Sequence, residues 1–289
     1  VTPVERVVYR HSGVEVGAFR CPPERPDFPG AGAIRGHCVF VFPRTAVWIQ
    51  HEGGRPFLTD PTLVTFYNPG QPYRRQRLDP RGDVCDWFAV DAETALEAAS
   101  DLDPALAERP ERPFRYSHGP SDAPTYFAQR RLFHLLGREP APDPWEVEEK
   151  VLGLLQGVLR LAYRAWRGDG PRAAPRAATA RERDAVAEAR VLLASGFREA
   201  VSLGDLAREV GLSPFRLCRA FSRVTGRGLH AHREELRLRE GLDSLERCGP
   251  SLTDLALDLG YSSHSHFTDR FRRRFGAAPS RVRASLTAP

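Results

Sequence analysis

Short apolar runs separated by turn residues fill residues 1–91. The runs at 37–42, 46–51, 63–67 and 84–90 are rich in Val, Phe, Tyr and Trp. Breakers lie between them: Gly53-Gly54, Asn68-Pro69-Gly70 and Asp79-Pro80-Arg81-Gly82. Runs of this length between such clusters predict strands, and their spacing predicts an antiparallel sandwich or barrel. From residue 92 to 166 the pattern becomes helical. Its clearest stretch is 145–166, where Val147, Val151, Leu154, Leu155, Val158, Leu161 and Ala162 recur at helical spacing. That stripe is either core or a face for a partner helix. Residues 168–179 hold Pro, Gly and Ala with few large apolar side chains, as an interdomain linker does. From about residue 181 the helical pattern is almost continuous. The expected fold class is therefore α+β and multidomain. The expected parts are a β domain over 1–91, a helical segment over 92–166 that can serve dimerisation, a linker over 167–180 and an all-α domain over 181–289.

The last part contains an internal repeat. Leu206-Ala207, Gly211 and Ser213 match Leu255-Ala256, Gly260 and Ser262 at one offset. Phe221 and Gly226 match Phe271 and Gly276 one residue later. Each copy reads as helix, tight turn, helix. The small Ala207 and Ala256 let the second helix cross close over the first. Gly211 and Gly260 can take the left-handed conformation that ends the first helix. Ser213 or Ser263 can cap the second. This is helix-turn-helix architecture. On a helical wheel Leu217, Ala220, Phe221 and Val224 face inward in copy one, and Phe267, Phe271 and Phe275 do so in copy two. The outward face of copy one carries Phe215, Arg219 and Ser222, flanked by Arg216, Cys218 and Arg223. That of copy two carries Ser265, Asp269 and Arg272, flanked by His266, Thr268 and Arg273. A recognition helix presents such polar, N-terminally weighted faces to base edges in the major groove. Taken alone, the arginines of 270–274 would read as a solvated helix face; the repeated turn pattern argues otherwise.

At these residues the chain resembles the DNA-binding domain of the AraC/XylS family of bacterial regulators, over about residues 187–286. Copy two carries the more specific motif: Leu255-Ala256, Gly260-Tyr261, His266-Phe267, Phe271-Arg272, Phe275-Gly276, Pro279-Ser280 and Arg283. Residues 229–245 resemble the family's long linker helix. The resemblance implies seven helices, with the two recognition helices about one DNA turn, roughly 34 Å, apart. It places base contact on Phe215, Cys218 and Arg219, and on Ser265 and Asp269 with His264 and His266 nearby. Ser213, Arg216, Arg223, Ser263, Arg272 and Arg273 complete the expected DNA-binding set. Cys218 is a weak hydrogen-bonding group for this purpose. Asp269 can accept from cytosine N4, although it is acidic on a face that meets phosphates. The implied partners are double-stranded operator or promoter DNA, RNA polymerase, a second copy of the chain and a small-molecule effector. The N-terminal part more weakly resembles the cupin-like sensor domain of such regulators, with Asn68-Pro69-Gly70-Gln71-Pro72 at its Pro-Gly turn. Metal-binding cupins follow that turn with a histidine; here Tyr73 follows, and no His-x-His pair precedes it.

Composition adds less. The net charge of +5 permits nucleic-acid binding without establishing it. Lys150 is the sole lysine, and the arginine bias runs through the whole chain. Cys21, Cys38, Cys85, Cys218 and Cys248 are scattered with no C-x-x-C, which fits a reducing compartment. No run of apolar residues is long enough to span a membrane, and the first residues carry no signal-peptide pattern, so a cytoplasmic protein is expected. For the first part the leading reading is a sensor cavity lined by Phe40, Phe42, Trp48, Phe66, Tyr67, Tyr73 and Trp87. The same aromatics also suit a plain core. A redox or metal sensor using Cys21, Cys38 and Cys85 with His37 is a second reading, but the spacings match no zinc motif, and buried thiols serve as small hydrophobes. A cupin enzyme fused to a DNA-binding module is a third. No paired carboxylates, nucleophile–base constellation or phosphate loop supports it. A non-enzyme without cofactor or metal is expected.

Overall fold

The computed structural model describes residues 5–25, 28, 31–34, 36–138, 141–167, 178–199, 201–246 and 251–287. The expected linker at 168–179 lies almost wholly outside the described residues, as does Cys248. The chain divides into two compact units, residues 1–170 and 171–288.

Among the described residues the first unit begins with nine strands: β1 Glu5–His11, β2 Val14–Cys21, β3 Ala31–Ala33, β4 Cys38–Pro43, β5 Val47–His51, β6 Phe57–Thr59, β7 Leu63–Tyr67, β8 Pro72–Arg77 and β9 Asp83–Val90. Helix α1 Ala92–Ser100, strand β10 His118–Pro120, α2 Ala123–Leu135 and α3 Pro144–Arg167 follow. The strands form two antiparallel sheets, ordered β1-β2-β9-β4-β7-β10 and β3-β8-β5-β6. The four apolar runs became β4, β5, β7 and β9. The polar β8 and the exposed β1 have no comparable run.

Strand period decides what each sheet face does. On the larger sheet the even positions Phe40, Phe42, Phe66 and Phe88 are buried. Phe40 stacks on Phe88 at 5.1 Å, and Phe88 meets Phe133 of α2 edge-on. The odd positions Val39, Tyr67 and Ala89 cluster instead with Val47 and Ile49 of the smaller sheet. One face of the large sheet thus carries helices, and the other faces the second sheet.

Asp86 fastens α2 to the helical face. Its buried carboxylate accepts from Gln129 Nε2 at 2.7 Å and pairs with the buried Arg130 guanidinium. The stripe on α3 is core: Val147, Val151, Leu154, Leu155, Val158 and Ala162 are buried. Leu161 is half-buried, and Leu159 and Tyr163 join the stripe. The helix runs so close to β10 that a Cβ on Gly119 would lie 2.5 Å from Ala162 Cβ.

The second unit contains, among the described residues, seven helices: α4 Ala180–Gly196, α5 Leu203–Glu209, α6 Pro214–Thr225, α7 Leu229–Leu245, α8 Leu252–Asp258, α9 His264–Phe275 and α10 Pro279–Thr287. This is the number that the family resemblance implies, and α7 occupies the expected connecting segment. No helix among the described residues is long and apolar enough to cross a membrane.

Removing one partner of a buried ion pair leaves the other charge uncompensated, at a cost of about 3–5 kcal/mol. Asp86→Ala is therefore expected to destabilise the first unit by about that amount. Urea unfolding would check this, and a loss below about 1 kcal/mol would contradict the assigned role of the pair.

Candidate functional site

The two helix-turn-helix copies are α5–α6 and α8–α9. Gly211 and Gly260 end the first helix of each copy with φ of +66° and +77°. Gly260 is doubly constrained, because a Cβ there would also overlap the Arg198 carbonyl oxygen. The Ser213 hydroxyl accepts from the Arg216 N–H at 3.3 Å and the Ser263 hydroxyl from the His266 N–H at 3.2 Å, so each second helix starts on a serine cap. Gly226 and Gly276 close α6 and α9 in the left-handed conformation.

Inward faces follow the wheel with one exception. Leu217, Ala220, Phe221, Phe267, Phe271 and Phe275 are buried, but Val224 is 41% exposed. It lies in the last turn of α6, beyond the point where that helix is covered.

The outward faces differ between the copies. On α6, Phe215 is 69% exposed, with the Arg219 guanidinium 5.5 Å from its ring centre. Arg216 and Arg219 are exposed and Cys218 is half-buried. Arg223 does not belong to this face. Its guanidinium donates to Glu182 of α4 at 3.1 Å and is mostly buried. A position on the flank of the wheel was turned inward by a carboxylate 41 residues away. On α9, Ser265, His266, Asp269, Arg272 and Arg273 are exposed and His264 is half-buried. Asp269 and Arg272 form an exposed pair at 3.4 Å. Both histidines are tied locally, His264 to Thr268 and His266 to Ser262, each at 3.3 Å.

The arginines of 270–274 divide by helical phase. Arg270 donates to Glu234 at 2.8 Å, and Arg274 pairs with Glu235 at 2.6 Å. Both carboxylates lie on α7. Arg272 and Arg273 point away from that helix into solvent. Glu235 also accepts from the fully buried Arg239 at 2.7 Å. Burial alone would raise the Glu235 carboxyl, but Arg239 and Arg274 outweigh it and hold the group below the usual range. These acidic anchors went unread in the sequence, because pairing over 36 residues leaves no local signature.

The first unit contains a cavity of about 420 Å³ between its sheets. Tyr67, Tyr73 and Trp87 line it, together with Arg75, Asp83 and Cys85. Phe40, Phe42, Phe66 and Trp48 do not, which corrects the sequence expectation. Their even positions place them on the opposite face of their strands, whereas lining residues on the strands are odd-numbered. Cys21, Cys38 and Cys85 are buried, unbridged thiols. Burial pushes Cys38 up to about 12 and Cys85 well above its ordinary value, with nearby carboxylates adding to both. Thiols so far from ionisation are poor nucleophiles for redox sensing. Among the described residues no cluster of His, Cys, Asp or Glu is arranged to hold a metal ion.

Comparison with known proteins bears on the second unit. A helix-turn-helix domain family model matches residues 206–285. The virulence regulon transcriptional activator VirF of Yersinia enterocolitica is 36% identical over 86 residues, which cover 30% of this chain and 32% of VirF. The chain thus spans about a third of that relative's length. A Proteus vulgaris protein described as "Probable transcription factor PqrA" is 32% identical over 91 residues, covering 32% of this chain and 75% of PqrA. A crystal structure of a Chromobacterium violaceum regulator with an AraC-type DNA-binding domain is 30% identical. The match covers 38% of this chain and 99% of that one, with a TM-score of 0.35.

The ion-pair geometry predicts a split between neighbouring arginines. Arg274→Ala is expected to destabilise the second unit by about 1.5 kcal/mol or more, with Arg239 still pairing Glu235, while Arg272→Ala stays within about 0.5 kcal/mol of the parent. Denaturant titration followed by helical circular dichroism separates the two. The lowered Glu235 carboxyl fixes the sign of a pH effect. Its contribution is complete above the unfolded glutamate range near about pH 4.3 and is lost as pH falls below it. The parent should therefore lose more stability on acidification than Glu235→Gln does.

Proposed function

The chain belongs to the AraC-type family of helix-turn-helix transcription regulators, and on that membership we propose a sequence-specific, effector-responsive regulator that reads successive major grooves with α6 and α9. One observation carries the reading. Both second helices are locked from behind, α6 by Glu182 and α9 by Glu234 and Glu235, while their N-terminal outward faces stay in solvent. A helix held this way enters a groove without reorganising.

Side-chain chemistry divides the work. The exposed Phe215 ring suits a thymine methyl, and Arg219 beside it suits the O6/N7 edge of guanine. Arg216 and Cys218 flank them. Asp269 suits cytosine N4, with Ser265, His264 and His266 around it. Arg272 and Arg273 take phosphates, as do the capped helix starts at Ser213 and Ser263.

In this reading residues 1–166 form the sensor part and residues 181–289 the DNA-binding part. The gathering of Tyr67, Tyr73 and Trp87 around a cavity between the two sheets supports an effector site there. A ligand favouring one arrangement of the protein would shift its population and so its activity on DNA. A homodimer joined through the first unit is part of the same reading. Trp145, 81% exposed at the start of α3, supports it. Contact with RNA polymerase at a promoter completes the partners, in keeping with the description of VirF as an activator.

A mobility-shift series on DNA upstream of the protein's own gene and its neighbours tests the reading. Specific binding should weaken steeply with salt. Arg219→Ala should cost about 1–3 kcal/mol at the specific site only, whereas Arg273→Ala should weaken all sequences alike and lower the salt slope by about 1. Failure of a genome-wide binding selection to enrich any sequence would overturn it.

A further inference from the structure

The cavity in the first unit has features that select a ligand by charge. Trp87 stands directly opposite Gly17 in the β2–β9 register, and Tyr73 stands opposite Gly32 in β3–β8. A Cβ on Gly17 would overlap the six-membered ring of Trp87, and one on Gly32 would come within 2.8 Å of the Tyr73 ring. Each ring therefore lies down across its cross-strand glycine. One face of each is spent on backbone, and Tyr73 also meets the Tyr67 ring edge-to-face at 5.0 Å. Two opposed sheets thus each supply an aromatic ring to one half-open cavity. The Trp87 indole N–H is buried there and has no hydrogen-bond partner.

The ionisable lining is unbalanced. Among the described residues Glu5, Glu15 and Asp83 line the cavity with Arg75 and His37; Glu15 also pairs with Arg10 at 2.8 Å and Asp83 with Arg75 at 3.3 Å. Arg75 is held by the protein itself. Its Nε donates to the Phe28 carbonyl at 2.9 Å, Nη1 to Asp83 at 3.3 Å and Nη2 to the Cys21 sulfur at 3.5 Å. Its guanidinium also sits 4.7 Å from the Phe19 ring centre. These three bonds use three of its five N–H groups. Burial pushes the Asp83 carboxyl up to about 6 even with that guanidinium beside it. A cation in this space would be favoured both by the aromatic rings and by the carboxylates, which outnumber the guanidinium among the described lining residues.

We propose that the cavity takes a small organic cation of the alkylammonium class, its charge held over the Trp87 and Tyr73 rings and facing Glu5, Glu15 and Asp83. A hydroxyl or carbonyl on the same ligand would give the Trp87 N–H its missing acceptor. The inference rests on the reading of this cavity as the effector site and adds the charge of the effector to it.

Calorimetric titration of the full-length chain with three probes tests it. The probes are choline, its uncharged isostere 3,3-dimethyl-1-butanol, and benzoate. Choline is expected to bind at least about tenfold more tightly than the isostere, with no binding of benzoate. Trp87→Leu, with its unliganded melting temperature checked, should reduce choline affinity at least about tenfold. Glu5→Gln, an exposed position that leaves the core untouched, should weaken choline but not the isostere. Equal binding of choline and the isostere, or preferential binding of benzoate, would overturn the cation assignment and leave the effector reading standing. Absence of binding by all three would overturn the assignment and remove the support that this cavity lends to the effector reading.

Discussion

The outward face of the second unit depends on one carboxylate. Glu235 sits on the connecting helix α7 and is shared between Arg239 of the same helix and Arg274 of α9. A buried carboxylate is costly unless paired and hydrogen-bonded, and here two guanidiniums meet that need. The consequence is directional. Arg274 and, one helical turn earlier, Arg270 are drawn to α7, so Arg272 and Arg273 must point to solvent. Close packing enforces the same phase. A Cβ on Gly241 of α7 would lie 3.1 Å from the Phe267 ring, so α9 cannot roll without a clash or a broken ion pair. Copy one obtains its phase differently, through Arg223 and Glu182 and the contact of Phe221 with His232. Different contacts hold two similar motifs in similar roles.

The first unit runs on an equally simple constraint, the alternation of side chains along a strand. Because the helices cover one face of the large sheet, its even positions become a packed aromatic core, closed by the Asp86–Arg130 pair. Its odd positions are then left to face the smaller sheet, and that side need not be filled. The glycines opposite Trp87 and Tyr73 let large rings lie flat instead of plugging the space between the sheets. The volume between the sheets thus arises from small residues placed across from large ones.

Much of this was legible because helix-turn-helix structure is local. A left-handed glycine, a serine cap and a small residue four positions before the glycine all fall within one short window, and each has one physical job. The α3 stripe and the four apolar strands were legible for the same reason. What escaped reading needed knowledge of a second element. Alternation alone marks Phe40 and Val41 as opposite, but it does not say which side the helices take. Arg270, Arg272, Arg273 and Arg274 are chemically alike, and only Glu234 and Glu235, far off in sequence, separate anchors from free ends. Strand β8 is Pro72-Tyr73-Arg74-Arg75-Gln76-Arg77, a polar segment whose one buried charge is explained by Asp83 and Phe28.

The unequal outward faces suggest unequal roles for the two copies. Phe215 exposes a large apolar ring that water does not favour, and its position beside Arg219 is hard to account for in isolation. A groove that buries the ring and pairs the guanidinium accounts for both. On α9, Asp269 is already partnered by Arg272, and reading a base with it means breaking an ion pair while bringing a negative charge near phosphates. Exposed pairs of this kind are worth little, so breaking one is affordable, but the repulsion remains. On the proposed function, this balance would put base discrimination mainly on α6 and leave α9, with Arg272 and Arg273 directed outward, chiefly to position the protein on the backbone.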